Sequence, residues 1–223
     1  MLGLAILSGL VWRGAIAVPS HLNPFALLRI ADEVNGLTRM KLSRLERNPS
    51  QCIAVLADSD VSYTPVADRP SNEGCGISNA VSVREVSRSL NRSFIASCPL
   101  AVAWALLDSH AIGPAARRHL GQAVVRVVHQ GTYVCRNINH RTAGRRSEHA
   151  TANAIDIAGI VLADGQEVTV ARDWKGDRPR HAAFLRAVRD GACSFFDVVL
   201  SPDYNEAHRD HFHFDMGASR TCR

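Results

Sequence analysis

Residues 211–216 read His-Phe-His-Phe-Asp-Met, an alternation of polar and apolar side chains with a period of two. Successive side chains of a β-strand point to opposite faces of a sheet, so this pattern predicts a strand. The apolar set would face a core and the polar set would share the opposite face: Phe212, Phe214 and Met216 against His211, His213 and Asp215. An H-x-H pair on a strand often has no function when no other functional residues accompany it. The phenylalanines at alternate positions nevertheless favour a strand that forms the floor of a pocket.

A second stretch, residues 147–156, supplies further metal-binding side chains. It reads Ser-Glu-His-Ala-Thr-Ala-Asn-Ala-Ile-Asp and places the imidazole of His149 seven residues before the carboxylate of Asp156. Small residues between the two would let the backbone approach a metal closely. Two imidazoles and one carboxylate form a catalytic zinc set in which water takes the fourth position. The two stretches together therefore favour an open, reactive site over a closed structural one.

Other patterns predict the elements around this strand. Apolar spacing predicts helices over 99–111, 114–120 and 178–192, and short strands over 123–129 and 196–200. Residues 153–162 and 166–170 form a predicted hairpin, because Asp-Gly at its centre is a strong turn signal. Val125, Val127 and His129 should share one face of their strand. The predicted fold is α+β, with a small antiparallel sheet that carries the zinc site, flanking helices and stabilising disulfides.

Length and composition exclude several classes of protein. The chain has 223 residues, of which 46% are apolar and 21% charged, so wholesale disorder is excluded. No apolar run approaches the roughly 20 residues of a lipid-spanning helix, which excludes a polytopic membrane protein. The net charge is +5, and nearly all of the positive charges come from arginine, since Lys41 and Lys175 are the only lysines. Because the arginines are scattered, we expect no nucleic-acid partner, whereas an anionic polymer such as the cell wall fits.

The cysteines indicate the redox compartment. Six are present, and no two form a C-x-x-C pair, which argues against a zinc ribbon or a thioredoxin-type site. An even, widely spread set predicts three disulfides in an oxidising compartment. The alternative is six reduced thiols in a cytosolic protein, and the N-terminus argues against it. We expect pairs between neighbours in the sequence: Cys52–Cys75, Cys98–Cys135 and Cys193–Cys222.

The N-terminus indicates export. Residues 2–12 are apolar, and Ala15-Ile16-Ala17 after Arg13 matches the small-residue pattern of a cleavage site. Residues 1–18 are therefore predicted to be a signal peptide; a short uncleaved membrane anchor is the competing interpretation, and an amphipathic helix is the third. Both leading interpretations place the protein in the periplasm or cell envelope.

The rest of the chain divides into a connector and one compact domain. We expect residues 19–50 to form the connector with one short helix, and residues 51–223 to form the domain. Four side chains in or beside the basic segment 38–48 are candidates for packing against that domain: Leu37, Met40, Leu42 and Leu45.

Several segments carry a family resemblance. From about Cys52 to Cys222 the chain resembles the bacterial extensin-like C-terminal domain family, with matches in 97–100, 133–137, 145–156 and 204–213. The pattern that joins His149 to Asp156, followed by H-x-H, also resembles the zinc signature of the D-alanyl-D-alanine carboxypeptidase, lysostaphin and hedgehog group. Ala152 stands where those peptidases usually have glycine.

The resemblance to the zinc peptidases implies roles for individual residues. By position, His149, Asp156 and His213 would bind Zn2+, and Asp210, three residues before the second ligand histidine, would be the catalytic base. His211 would lie beside the metal. Because Asp210 and His213 have opposite parity on a strand, Asp210 must lie on the loop that enters the strand.

These roles lead to a functional hypothesis. The protein is expected to be an exported zinc peptidase or amidase that acts on peptidoglycan peptides. Arg136 and His211 are the candidates for stabilising the oxyanion, and Arg136 is alternatively a clasp for a substrate carboxylate. Two other classes remain open: a non-catalytic wall-binding module with a structural zinc, and a metal-free disulfide domain that acts in envelope adhesion.

Overall fold

The computed structural model describes residues 9, 10, 13 and 18–223. The predicted signal peptide or anchor over 1–18 therefore lies almost entirely outside the described residues. Among the helices that are described, none has the length and apolar character needed to cross a lipid bilayer.

One sheet of nine strands runs through the described part of the chain. The strands are β1 Ser62–Val66, β2 Ala80–Glu85, β3 Ser89–Ser97, β4 Val124–Gly131, β5 Ala154–Leu162, β6 Glu167–Thr169, β7 Val198–Leu200, β8 Phe212–Asp215 and β9 Thr221–Cys222. Their order is β1-β2-β3-β4-β5-β8-β7-β9, and β6 also pairs with β5. Among these described strands, only β3–β4 and β7–β9 are parallel pairs. The predicted α+β class and antiparallel character are confirmed, but the sheet is larger than expected.

Six α-helices accompany the sheet in the described residues. They are α1 Gly36–Leu45, α2 Pro49–Ala57, α3 Cys98–Leu107, α4 Gly113–Leu120, α5 Val170–Asp173 and α6 Pro179–Ala192. A π-helical turn, Asp108–Ile112, joins α3 to α4, so the predicted helix over 99–111 is α3 with this turn. The other two predicted helices correspond to α4 and α6.

Helix α3 lies at the centre of the core. All ten of its residues are buried, because it packs against the sheet and against other helices. A helix that is apolar around its whole circumference is expected to be buried in this way. From the sheet, Phe212 and Phe214 of β8 point into the same core. The polar side chains of β8 consequently lie on the face of the sheet away from α3.

The hairpin of β5 and β6 forms as the Asp-Gly turn predicts. Gly165 has a φ of 83°, and the side chain of Asp164 accepts a hydrogen bond from the backbone N–H of Gln166 at 2.9 Å. The expectation for β4 was partly wrong, since Val127 and His129 are buried but Val125 is 45% exposed. A shift of register between Val124 and Arg126 breaks the simple alternation there.

Three disulfides are present, as the cysteine count predicts, but two of the three expected pairs were wrong. The bonds are Cys52–Cys98, Cys75–Cys135 and Cys193–Cys222, so only the last expected pair is confirmed. Cys52 lies in α2, and α2 packs on α3, which begins at Cys98. The packing of helices, rather than proximity in the sequence, decides this pairing.

The segment before residue 51 contributes to the same core. Leu28, Ile30, Leu42 and Leu45 are all buried in it, so the packing expected of Leu42 and Leu45 is present. Leu37 and Met40 are only partly buried. The N-terminus of α1 is capped by Asn35, whose side chain accepts a hydrogen bond from the backbone of Leu37 at 2.8 Å.

Candidate metal centre

Two adjacent strands bring Asp156 and His213 together. Asp156 of β5 and His213 of β8 are direct cross-strand partners. Because Ile155 and Ile157 point into the core, Asp156 lies on the opposite face, which is the face that carries His213. Oδ1 of Asp156 is 2.9 Å from Nδ1 of His213.

His149 reaches the same point from a 3-10 turn, Glu148–Thr151. The side chain of Ser147 caps this turn by accepting a hydrogen bond from the backbone N–H of His149 at 3.4 Å. The turn ends at Ala152, which has a left-handed φ of 55°. Nε2 of His149 then lies 3.2 Å from Oδ2 of Asp156 and 3.2 Å from Nδ1 of His213. The structure thus brings together the three predicted metal ligands.

The outer partners of the two imidazoles determine where their protons lie. Nδ1 of His149 is 3.0 Å from the carbonyl oxygen of Thr132, and Nε2 of His213 is 2.9 Å from Oδ2 of Asp215. A carbonyl or carboxylate oxygen can only accept, so each of these nitrogens carries the hydrogen. In the neutral rings, Nε2 of His149 and Nδ1 of His213 are therefore left with lone pairs that face Asp156.

This arrangement fits a divalent metal ion. With both rings neutral, three acceptors converge with no donor among them, and such a group is satisfied either by a bound cation or by a proton on His213 that is donated to Asp156. Donor atoms around a tetrahedral zinc with bonds of about 2.0–2.1 Å lie roughly 3.3 Å apart. The spacings in the site are 2.9–3.2 Å, and one atom from each residue lies within 4.8 Å of the others. Hydrogen bonds from both imidazoles to outer acceptors are also typical of metal-binding histidines.

Burial and proximity perturb the titration of the two strand residues. Burial alone would raise the pKa of Asp156, but hydrogen bonds and charges of His149 and His213 outweigh it and hold that pKa well below its ordinary value. Burial would lower the pKa of His213, yet hydrogen bonds to Asp156 and Asp215 raise it to about 9. Both directions favour positive charge next to Asp156.

Asp210 and His211 form a pair beside the three ligands. Asp210 precedes β8, as predicted from parity, and its Oδ1 accepts a hydrogen bond from Nδ1 of His211 at 2.8 Å. This bond is the main cause of the lowered pKa of Asp210. Nε2 of His211 points toward the centre and lies 3.8 Å from Oδ1 of Asp156. His211 therefore lies next to a ligand through Nε2, and Asp210 contacts the other nitrogen of the same ring.

His208 lies next to this pair. Its ring centroid is 5.3 Å from that of His211 and 5.8 Å from that of His213, and its Nδ1 donates to Oδ1 of Asn205 at 2.7 Å. Burial, followed by the charges of His213 and His211, lowers the pKa of His208 to about 4. His208 is thus a neutral imidazole at pH 7.

Asp156 and His213 line a cleft with a volume of about 420 Å3, and His149 is buried behind them. Arg136, Arg145 and Arg146 line one wall of the cleft. Arg146 is held in place, because it donates to the carbonyl of Glu73 at 2.8 Å and to Oδ1 of Asn137 at 3.1 Å. Within the described part of the chain, the guanidinium groups of Arg136 and Arg145 make no hydrogen bond or ion pair. These two cations are therefore available to an anionic ligand in the cleft.

A disulfide and hydrogen bonds hold the segment around Arg136 in place. Cys135 is bonded to Cys75, and the hydroxyl of Tyr133 donates to the carbonyl of Cys75 at 2.9 Å. The backbone N–H of Ser147 donates to the carbonyl of Arg136 at 3.1 Å, which joins the wall to the turn of His149. The disulfide thus supports the position of Arg136 relative to the metal ligands.

Sequence reasoning missed two supporting residues. Asp215 was placed on the face of His213 but received no role, although its position two residues along the strand could have suggested contact. Thr132 acts through its backbone carbonyl, which leaves no side-chain signal in the sequence.

Comparisons with known proteins identify one family. The family described as "Extensin-like protein C-terminus" matches residues 50–223 of the chain. No curated protein and no solved structure gives a significant match. The matched range includes every residue of the site described above.

Proposed function

We propose that this chain, which belongs to the extensin-like C-terminal family, is a zinc-dependent peptidase or amidase that acts on peptidoglycan peptides. One observation carries the proposal: nitrogen atoms of His149 and His213 converge with the carboxylate of Asp156, and Asp156 and His213 line a cleft. The similarity of this ligand pattern to that of the D-alanyl-D-alanine carboxypeptidase group supports the choice of reaction.

Zinc suits the donor set better than the other common divalent ions. Two imidazole nitrogens and one carboxylate are typical of catalytic zinc, whereas magnesium and calcium prefer oxygen ligands alone. The cysteines offer no competing thiolate site, because all six are in disulfides. A zinc ion held by three protein ligands would supply a Lewis acid and a hydroxide at neutral pH.

His211 is the residue best placed to move a proton. Its Nδ1–H is donated to Asp210, so the lone pair of the neutral ring lies on Nε2, which points toward the metal ligands. We assign Nε2 as the atom that accepts a proton from water and returns it to the leaving amine. Asp210 then orients the ring and stabilises its charged form. The earlier prediction of Asp210 as the base is replaced by this division of roles.

The arginines of the cleft wall would position the substrate. Arg136 and Arg145 line the cleft without an ion-pair partner among the described residues, and a guanidinium binds a carboxylate through two parallel hydrogen bonds. Stem peptides of peptidoglycan carry free carboxylates, which makes them suitable ligands for this wall. The three disulfides are consistent with the oxidising envelope compartment in which such a substrate is found.

The test is hydrolysis of isolated muropeptides by the purified protein. Metal-stripped protein, with and without added zinc, is incubated with monomeric and cross-linked muropeptides, and the products are measured by mass spectrometry. We expect zinc-dependent loss of an amino acid or of a cross-link, and a rate of product formation about 10²–10⁴-fold lower for His211→Ala. Asp190→Asn, which alters an exposed ion pair with Arg189, serves as the control. Zinc bound in the stoichiometric amount without any product from either substrate would contradict the enzyme and favour a wall-binding module.

A further inference from the structure

Glu148 is a carboxylate of the cleft that the proposed reaction does not use. It is half-buried, it immediately precedes the ligand His149, and it lines the same cleft as Asp156 and His213. Within the described part of the chain, Glu148 has no ion-pair partner, and only one of its two carboxylate oxygens accepts a hydrogen bond. The other oxygen, Oε1, is therefore available to a ligand.

The surroundings of Glu148 hold its side chain in one position. Nδ2 of Asn153 donates to Oε2 of Glu148 at 2.8 Å, and Oδ1 of Asn153 accepts from the hydroxyl of Ser97 at 2.7 Å. That hydroxyl fixes the orientation of the amide, which directs its NH2 group to Glu148. Gly217 leaves room for the carboxylate, since a Cβ there would lie 2.9 Å from Oε1. A side chain that is held in this way loses little entropy when a ligand binds.

The neighbouring carboxylate of Asp215 is fully used by the protein. It also lies beside Gly217, but its Oδ2 accepts from Nε2 of His213 and its Oδ1 accepts from the backbone N–H of Gly217. Asp215 is thus committed to positioning a metal ligand. At this end of the cleft, Glu148 is the carboxylate with an oxygen to spare for a ligand.

Opposite charges lie on the two sides of the metal ligand His213. Burial is the main cause of the lowered pKa of His208, and the positive charge of Arg136 also contributes, so Arg136 lies near that ring. His208 precedes β8, whereas Asp215, which shares the surroundings of Gly217 with Glu148, is the last residue of β8. The cleft therefore presents a cation on one side of His213 and an anion on the other.

We propose that Glu148 binds the ammonium group of a diamino acid residue in the stem peptide. A carboxylate and an ammonium form a charge-assisted hydrogen bond, which is stronger than a neutral one. With the terminal carboxylate of the peptide at Arg136, the ammonium would lie on the other side of the bond that is cleaved. The assignment rests on the proposed function and adds a substrate class to it: stem peptides whose diamino acid keeps its side-chain amine free.

The competing explanation is that Glu148 only supports the turn of His149. Its bond to Asn153 joins this turn to the residue before β5. A structural role would change the affinity for every ligand of the cleft alike. Recognition of an ammonium instead distinguishes a charged amine from a neutral amide, so the test compares two peptides.

Two synthetic stem pentapeptides serve as the probes. Both have lysine at the third position and an acetylated N-terminus, and they differ only in whether the lysine amine is free or acetylated. Calorimetric titration measures their Kd for the zinc-loaded His211→Ala protein, in which hydrolysis is slowed. Glu148→Gln is then added, since glutamine keeps an oxygen for Nδ2 of Asn153. Glu206→Gln is the matched control, because it removes the same charge from an 85% exposed side chain outside the lining of the cleft.

We expect the peptide with the free amine to bind about tenfold more tightly than the acetylated one. Glu148→Gln should abolish this difference, and Glu206→Gln should keep it. Equal affinities for the two peptides before Glu148 is changed, a preference that survives Glu148→Gln, or binding of neither peptide would overturn the proposal.

Hydrolysis of the same two peptides by the unsubstituted protein separates this proposal from the proposed function. A preference for the free amine without cleavage of either peptide would leave the ammonium site standing and contradict the hydrolase. Cleavage of both peptides with equal affinity would support the hydrolase and contradict the ammonium site.

Discussion

Nε2 of His149 lies 3.2 Å from Nδ1 of His213, and the outer hydrogen bonds of both rings leave lone pairs on these two nitrogens. Two lone pairs at this distance repel each other, and the carboxylate of Asp156 adds a third acceptor. Without a cation, the site can be satisfied only by protonating one ring. The structure is therefore complete only when positive charge occupies the centre of this triangle.

The first prediction concerns metal binding. Purified protein should bind one equivalent of zinc, and the bound metal should stabilise it because the ligands converge only in the folded state. Free zinc at about 100 times the Kd corresponds to about 2.7 kcal/mol, or roughly 5–10 °C in Tm. His213→Gln should lose this stabilisation. Elemental analysis and thermal melts with and without a chelator measure both effects.

A surface histidine provides the control for that experiment. His119 in α4 does not line the cleft, so His119→Gln should bind zinc as the parent does. A chelator that leaves the Tm of the parent unchanged would contradict the metal centre and support a metal-free disulfide domain.

The second prediction concerns Asp215, which positions His213. Its Oδ2 accepts from Nε2 of His213 at 2.9 Å, and its Oδ1 accepts from the backbone N–H of Gly217 at 2.8 Å. An asparagine has only one acceptor oxygen, so Asp215→Asn must leave one of these two donors facing an NH2 group. We expect zinc affinity to fall by about 10–100-fold, with the metal still bound at saturation. Competition with a chromophoric chelator measures this, and unchanged affinity would exclude the positioning role.

The third prediction separates the roles of Asp210 and His211. If His211 transfers the proton and Asp210 orients it, His211→Ala should lower kcat by about 10²–10⁴-fold. Asp210→Asn should have the smaller effect, because an amide oxygen can still accept from Nδ1 of His211. Both variants should keep the full zinc content, since neither residue is one of the three ligands. A loss of kcat in Asp210→Asn as large as that in His211→Ala would return the role of base to Asp210.

Much of the site was predictable because β8 alternates so clearly. The pattern of residues 211–216 places His213 opposite the phenylalanines, and the hairpin turn at Asp164-Gly165 locates β5, which carries Asp156. Their pairing in register depends on the sheet as a whole, since β5 also pairs with β4 and β6. The position of His149 depends on the left-handed backbone conformation of Ala152. An alanine in a sequence does not predict this conformation, because residues with a Cβ rarely adopt it.

The first three strands were not predicted because their sequences do not alternate regularly. β3 begins with Ser89-Leu90-Asn91-Arg92, and that half of the strand is largely exposed. The pairing of β2 with β1 and its pairing with β3 each contain a shift of register near one end. Such bulges interrupt the alternation of side chains between the two faces of the sheet. The disulfide pairs failed for a related reason: the entropy of closing a loop grows slowly with its length, so sequence distance ranks the possible pairs poorly.

The fourth prediction concerns Ala152, the residue that ends the turn that carries His149. Its φ of 55° is strained for a residue with a Cβ, and its side chain is fully buried. Ala152→Gly removes strain of about 1–2 kcal/mol but loses a buried methyl group and adds freedom to the unfolded chain. We expect a change in unfolding free energy within about 1 kcal/mol. Ala152→Val should instead destabilise by about 2 kcal/mol or more, because a branched Cβ is disfavoured at positive φ. Urea unfolding measures both, and equal effects would exclude backbone strain as the cause.

The fifth prediction concerns pH and His129, a buried residue of β4 that takes no part in the proposed reaction. Its Nε2 donates to the carbonyl of Arg92 at 2.9 Å, and burial lowers its pKa below the ordinary value of 6.5. The folded protein therefore binds fewer protons at this position than the unfolded chain below about pH 6.5, so stability should fall as the pH falls.

Comparison with a variant isolates this contribution from those of the other histidines. His129→Gln keeps an amide donor that can reach the carbonyl of Arg92 but cannot titrate. One proton accounts for at most about 1.4 kcal/mol per pH unit. The parent should therefore lose more unfolding free energy than the variant between pH 7.5 and pH 5.5, by up to about 1.4 kcal/mol, when both are measured in urea. If the difference in unfolding free energy between parent and variant stays constant over this range, the pKa of His129 is the same in the folded and unfolded states, and the prediction is wrong.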